Sequence, residues 1–197
     1  MGAQKMKNTI EVIKNYIPYN EQERVDKDVI LQMAQTFDNL LDRGNLVAHF
    51  SGSAFVINKE HTKVLSSFHN IYQSWGLVGG HADGVDDLLK VAESEALEES
   101  GLEAVKLLSA EPIAIDILCT ENHIKKGKYV PAHLHFVVTY LFEADENKPL
   151  SVKEDEHSAL EWLFFDELIQ KAREPQMKNV YKKIIERLKV NFFVKGD

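Results

Sequence analysis

The sequence predicts an α/β layered domain with a helical extension at its N-terminus. Three observations predict it. Apolar residues recur at helical spacing through the first 45 positions. Strand-like runs lie on both sides of one central helix that ends at Gly101. A last amphipathic helix follows Pro175. Strands flanking a helix, with further helices at both ends, bury their apolar faces by stacking in layers.

Met6, Ile10, Ile13 and Ile17 fall at steps of three and four, which predicts a helix over 5–17 closed by Pro18. Val29, Met33, Phe37, Leu40 and Leu41 repeat the pattern over 25–43, with Gly44 as the expected stop. We divide the chain into an N-terminal helical extension, 1–45, and a main domain, 46–197. The extension packs on the main domain or serves as lid, specificity element or homodimer contact.

The apolar run from Leu46 to Ile57 contains Gly52 and predicts one long bent strand or two. Asn58–His61 turns it, and Lys63–His69 returns as the second arm of a hairpin. Trp75–Gly79 delivers the chain to a glycine-rich loop, where glycines 76, 79, 80 and 84 suit positive φ and close backbone approach. After Gly101 an apolar stretch broken by Pro112 predicts one interrupted strand or two, with Cys119 in the core. Residues 121–130 read as a polar loop. Residues 132–142 alternate strictly, with Leu134, Phe136, Val138, Tyr140 and Phe142 on one face and His133, His135, Val137 and Thr139 on the other. An acidic loop, a strand over Ala159–Phe165, a short helix capped by Asp166 and a terminal helix opened by Pro175 complete the chain.

The formal net charge is −8 and the basic residues form no long run. That argues against a nucleic-acid polymer as partner, since such binding rests on neutralising phosphates. No apolar run reaches the ~20 residues of a membrane span. A single cysteine fits a reducing cytoplasm.

The chemistry concentrates in 79–102, GGHADGVDDLLKVAESEALEESGL. Glu95, Glu98 and Glu99 crowd the last two turns of the helix. Carboxylates at that negative end are disfavoured by up to ~1 kcal/mol each, and like charges at i,i+3 and i,i+4 add to this. No Lys or Arg lies between Val91 and Val105. On the helical wheel the three acids continue the apolar arc of Leu88, Val91, Ala92 and Ala96, while Glu93 points away. A bound cation would supply the missing stabilisation. Hard carboxylate oxygens without cysteine favour Mg2+, with Mn2+ as substitute, over zinc.

Aligned on the end of its helix, this stretch resembles the Nudix box, G-x5-E-x7-R-E-U-x-E-E-x-G-U, where U is bulky and apolar. Gly80 takes the first glycine, Asp86 the first Glu, Ser94 the Arg and Glu95 the next Glu. Ala96 takes the apolar site, Glu98 and Glu99 the acid pair, Gly101 the second glycine and Leu102 the end. The spacing is intact; Asp86, Ser94 and the small Ala96 depart from the pattern.

The resemblance implies the Nudix fold, a mixed β-sheet sandwiched between α-helices. It implies Mg2+-dependent hydrolysis of a small nucleotide, a nucleoside diphosphate linked to a group X, with water attacking phosphorus. It assigns metal binding to Glu95, Glu98, Glu99 and the Gly80 carbonyl, catalysis to Glu98, and a general base to Glu156 in the acidic loop. Asp86 and Ser94 hold the positions that support the box. Ser94 cannot pair with the glutamates as the family's Arg does, and Lys90 is one replacement for that charge. The alternative is a catalytically weakened Nudix-like module that binds or senses a nucleotide. His133 and His135, two apart on one strand face, are assigned to substrate binding. Such a pair can also hold a metal, but no third ligand is visible in the sequence.

Overall fold

The computed structural model describes residues 6–125, 127–152 and 157–190. Two helices come first, α1 (Lys7–Asn15) and α2 (Glu21–Thr36), then strands β1 (Ala48–Asn58), β2 (Lys63–His69), β3 (Ser74–Gly76) and β4 (Val78–His81). Helix α3 (Leu88–Ser100) leads to β5 (Lys106–Leu107), β6 (Ala114–Thr120), β7 (His123–Lys125), β8 (Lys128–Val130), β9 (His133–Ala144) and β10 (His157–Phe164). Helices α4 (Phe165–Lys171) and α5 (Pro175–Leu188) follow. No described helix is long and apolar enough to cross a membrane.

The sheet is mixed. β1 runs parallel to β9, in register from Ala48 with Leu134 to Asn58 with Ala144. On its other side β1 pairs antiparallel with β4 near its start and with β2 at its end. β9 likewise pairs with β6 over its first half and with β5 further on. β7 and β8 form a separate two-stranded ribbon.

Both faces of β1 are buried, so it reads as a nearly continuous apolar run. Alternate residues serve different layers. Phe50, Ala54 and Val56 join Leu88, Val91, Ala92 and Ala96 of α3 in one core. Phe55 and Ile57 join Phe165 and Leu168 of α4 and Tyr181, Ile184 and Leu188 of α5 in the other. The sheet therefore lies between helices.

The N-terminal helices share the first core through Met6, Ile13 and Ile30. They are also tied in by charge. Lys183 of α5 lies 3.0 Å from buried Glu23 of α2 and 2.6 Å from Asp116 of β6. Burial pushes the Asp116 carboxyl up to about 6, with the Lys183 ammonium offsetting part of the rise. Tyr16 donates to Glu23 at 2.7 Å. The N-terminal helices thus share a core and buried charged contacts with the rest of the described chain.

Several local expectations need correction. α2 starts four residues earlier than 25, because the Asn20 side chain caps it by accepting the Glu23 N–H at 3.0 Å. It ends at Thr36, and buried Leu40 and Leu41 belong to the turns that follow. Phe164, not Asp166, is the N-cap of α4, with the Glu167 carboxylate accepting its N–H at 2.9 Å. The polar loop 121–130 contains the β7–β8 ribbon. Cys119 is exposed, since at the end of β6 its side chain points away from both cores. Among glycines 76, 79, 80 and 84, only Gly84 has positive φ, because the others lie in β3 and β4.

Helix α3 crosses β1 at Gly52. A Cβ there would meet the Leu88 carbonyl oxygen at 2.6 Å and the Ala92 nitrogen at 3.0 Å. The helix backbone rests on the strand because that side chain is missing. Gly52→Ala is expected to force α3 outward and to destabilise the chain by about 1–3 kcal/mol. Thermal denaturation should show a fall of about 2–4 °C per kcal/mol.

Candidate active site

Asp87 starts α3 by accepting the Lys90 N–H at 3.2 Å, and Gly101, at φ 70°, ends it in the left-handed region. The last turn is pressed against β4. Glu99 lies at the centre of the buried arc and is 1% exposed. Its Oε2 accepts the Gly79 N–H at 3.2 Å, and its Oε1 accepts Nε2–H of His157 at 2.8 Å. Hydrogen bonds to a charged group contribute about 1.5–3 kcal/mol each, enough to offset the unfavourable helix end. Each oxygen keeps a further lone pair.

Glu95 is half-buried and its carboxylate lies flat on the backbone of Gly80: a Cβ at Gly80 would fall on Glu95 Oε1. Glu98 is exposed, although the wheel placed it on the inward arc. It stands one residue, about 100°, from Glu99, and that step carries it to the margin of the face. The three carboxylates thus differ in exposure: Glu99 is buried, Glu95 half-buried and Glu98 exposed.

The positions expected to support the box do other work. Asp86 caps α1. Its Oδ2 accepts the Asn8 N–H at 2.9 Å and its Oδ1 the Thr9 N–H at 2.8 Å, while its carbonyl accepts Asn8 Nδ2 at 2.7 Å. Met6, the N-cap of α1, offers no side-chain bond, so Asp86 satisfies these amides from 77 and 78 residues away. Ser94 is exposed. Lys90 pairs with Asp87 at 3.5 Å rather than with the glutamates. Within the acidic turn, Glu99 pairs with His157, which is 3% exposed at the start of β10 and carried no signal in the sequence. Glu156 lies outside the described residues.

A cavity of about 320 Å3 opens beside this turn at Glu99, and a second of about 490 Å3 adjoins the first. The smaller is lined by Gly79, Gly80, Glu99 and His157 and also by His49, His81, His133 and His135. Arg43, bound to Asp83, stands at its edge. The larger is lined by Tyr72, Trp75, Met177, Tyr181 and Cys119 and also by polar residues, among them His69, Asp116, Glu121 and Glu174. His133 and His135 both line the smaller cavity. They are joined by two histidines from other strands, because β1 sits between β4 and β9, with His49 opposite His135 and Ser51 opposite His81. Burial, reinforced by the neighbouring imidazoles, holds His135 down to about 2, and burial also lowers His49.

The donor set fits a hard divalent cation: carboxylates in a single turn, one of them seated in a cradle that a Cβ at Gly80 would fill. Gly80→Ala tests that cradle. Only the end of a flexible side chain must yield, so the melting temperature should change by less than about 2 °C. Metal-dependent activity should fall at least ~10-fold, because the Glu95 carboxylate is displaced; unchanged activity would show that its position is immaterial.

Comparison with known proteins bears on the fold and the family. A family profile described as the NUDIX domain matches residues 49–188. A C. elegans Ap4A hydrolase in a binary complex superposes with a TM-score of 0.53 at 18% identity, over 71% of this chain and 96% of that one. A Nudix hydrolase from M. smegmatis gives 0.54 at 15% identity, over 73% and 87%. E. coli dihydroneopterin triphosphate pyrophosphohydrolase gives 0.52 at 11%, over 70% and 94%. A search of curated proteins found no sequence match. The structural likenesses establish the shared fold, and the profile covers most of the sequence: the chain belongs to the NUDIX domain family.

Proposed function

We propose that this Nudix hydrolase cuts the P–O–P bridge of a nucleoside diphosphate linked to a second group X, in a Mg2+-dependent reaction that Mn2+ also supports. The observation that carries the reading is the carboxylate turn of Glu95, Glu98 and Glu99 seated on Gly80. Glu95, Glu99 and the Gly80 carbonyl would hold the metal, with Glu98 at the exposed side. When bound, the ion neutralises phosphate charge and lowers the pKa of coordinated water.

The chain's own residues supply the rest. A carboxylate takes the proton from the attacking water as the water oxygen bonds to phosphorus and the bridging P–O bond breaks. Glu156 is assigned as that general base, and Glu98 is the second acid assigned to catalysis. His157 and the Gly79 N–H fix the Glu99 carboxylate, so it need not reorganise during the reaction. The products are two phosphate monoesters. The larger cavity, with Tyr72, Trp75 and Tyr181, suits a nucleobase or X. His133 and His135 face the smaller cavity, within reach of substrate oxygens. The acidic composition speaks against a nucleic-acid polymer, and the lone cysteine suits the cytoplasm. The N-terminal helices leave a homodimer contact open.

A second reading, nucleotide binding without efficient turnover, draws on two observations. Asp86 is committed to α1, and Ser94 is exposed. A panel of nucleotide sugars, dinucleoside polyphosphates, nucleoside triphosphates and dinucleotides with Mg2+ separates the two. Turnover of at least one class, reduced about 10²–10⁴-fold by Glu98→Gln, is the expected result. Tight binding without hydrolysis under saturating Mg2+ or Mn2+ would establish the second reading instead.

A further inference from the structure

We propose that His49, His81 and His135 form a second metal site, separate from the carboxylate turn, that takes a Zn2+-class divalent ion. One nitrogen from each ring can be chosen so that all three lie within 4.8 Å of one another. The rings come from three neighbouring strands, β1, β4 and β9, and their centroids are 4.8–5.1 Å apart. A fourth ring, His133, stacks on His49 at 4.8 Å.

The hydrogen bonds around the cluster set the ring tautomers. His49 is 3% exposed, and its Nδ1 faces the Asn45 carbonyl at 3.1 Å. A carbonyl only accepts, so Nδ1 carries the proton and Nε2 carries the lone pair. That Nε2 is buried and has no hydrogen-bond partner among the described residues. An orphaned buried acceptor is costly, and a metal ion would satisfy it. His133 repeats the arrangement. Its Nδ1 lies 2.8 Å from the Pro131 carbonyl, which leaves Nε2 to accept from Nε2–H of His135 at 3.0 Å. His135 is thereby left with Nδ1 as its lone-pair nitrogen. Metal-binding histidines characteristically donate their second N–H to a carbonyl or similar acceptor, which fixes the ring and raises its basicity. His49 meets that description directly, and His135 does so through His133.

The ligand type selects the ion. Neutral imidazoles suit zinc and its transition-metal neighbours, whereas Mg2+ prefers oxygen. Zn–N bonds of 2.0–2.1 Å put tetrahedral ligand atoms about 3.3–3.4 Å apart. The observed spread of up to 4.8 Å therefore has to close by about 1.5 Å. Metal binding would therefore turn the half-buried rings of His81 and His135 toward buried His49. Three protein ligands leave a fourth position toward the smaller cavity, where a water or a substrate phosphate oxygen can bind. His81 directly follows Gly80, so the two sites meet along β4.

The test uses the full chain stripped of metal with a chelator. Equilibrium dialysis against Zn2+ should give one tightly bound equivalent. That equivalent should persist in a Glu95→Gln/Glu98→Gln/Glu99→Gln chain. It should weaken on the order of 100-fold in His81→Ala and in His135→Ala, whose metal-free melting curves should match that of the parent. Co2+ in place of Zn2+ should give the visible absorption bands of a four-coordinate nitrogen site, absent from the two histidine variants. Absence of a stoichiometric Zn2+ ion would overturn the proposal. So would Zn2+ binding that survives both histidine changes or vanishes with the glutamate changes.

Discussion

The close seating of α3 on β1 and β4 is the constraint from which the rest of the site follows. Gly52 lets the helix backbone rest on the central strand, and Gly80 lets Glu95 lie on the next one. That contact fixes the height and rotation of the last helical turn. Glu99 then enters the protein and meets Gly79 and His157, Glu95 covers Gly80, and Glu98 remains at the surface. A turn of acids at the negative end of a helix would repel itself in isolation. Here the fold holds it in place with donors for its buried member and leaves the others able to share a cation.

Much of this was legible in the sequence, because it depended on local spacing. The period of α1 and α5, the hairpin of β1 and β2, the alternation of β9 and the glutamate cluster ending at Gly101 all follow from residues near one another in the chain. What was not legible depended on long-range register. Nothing near Asp86 announces that it caps a helix starting at Lys7. His157 lies 58 residues from Glu99, and a single histidine at a strand start carries no signal of such a partner. The parallel pairing of β1 with β9 is invisible to periodicity, so His49 and His81 could not be joined to His133 and His135. The α2 boundary failed for a different reason: Leu40 and Leu41 continue a helical stripe numerically, yet they are buried from turns.

Two chemically distinct donor sets consequently meet along β4. Gly80 faces the hard oxygens of the α3 turn, and His81 faces imidazoles from β1 and β9. Departures from the family box at Asp86 and Ser94 leave the three acids intact. Asp86 has become a tie between α1 and the loop before α3, so the N-terminal helices and the site share a structural element. This links packing of the first helix to placement of the carboxylate turn.

The central claim is that the α3 carboxylates hold a hard divalent ion. Electron paramagnetic resonance of Mn2+ titrated into the His81→Ala/His135→Ala chain examines it without interference from imidazoles. A bound Mn2+ population that weakens at least ~10-fold when Glu95→Gln and Glu99→Gln are added is the result this account predicts. Equal Mn2+ affinity with and without those two carboxylates would contradict it.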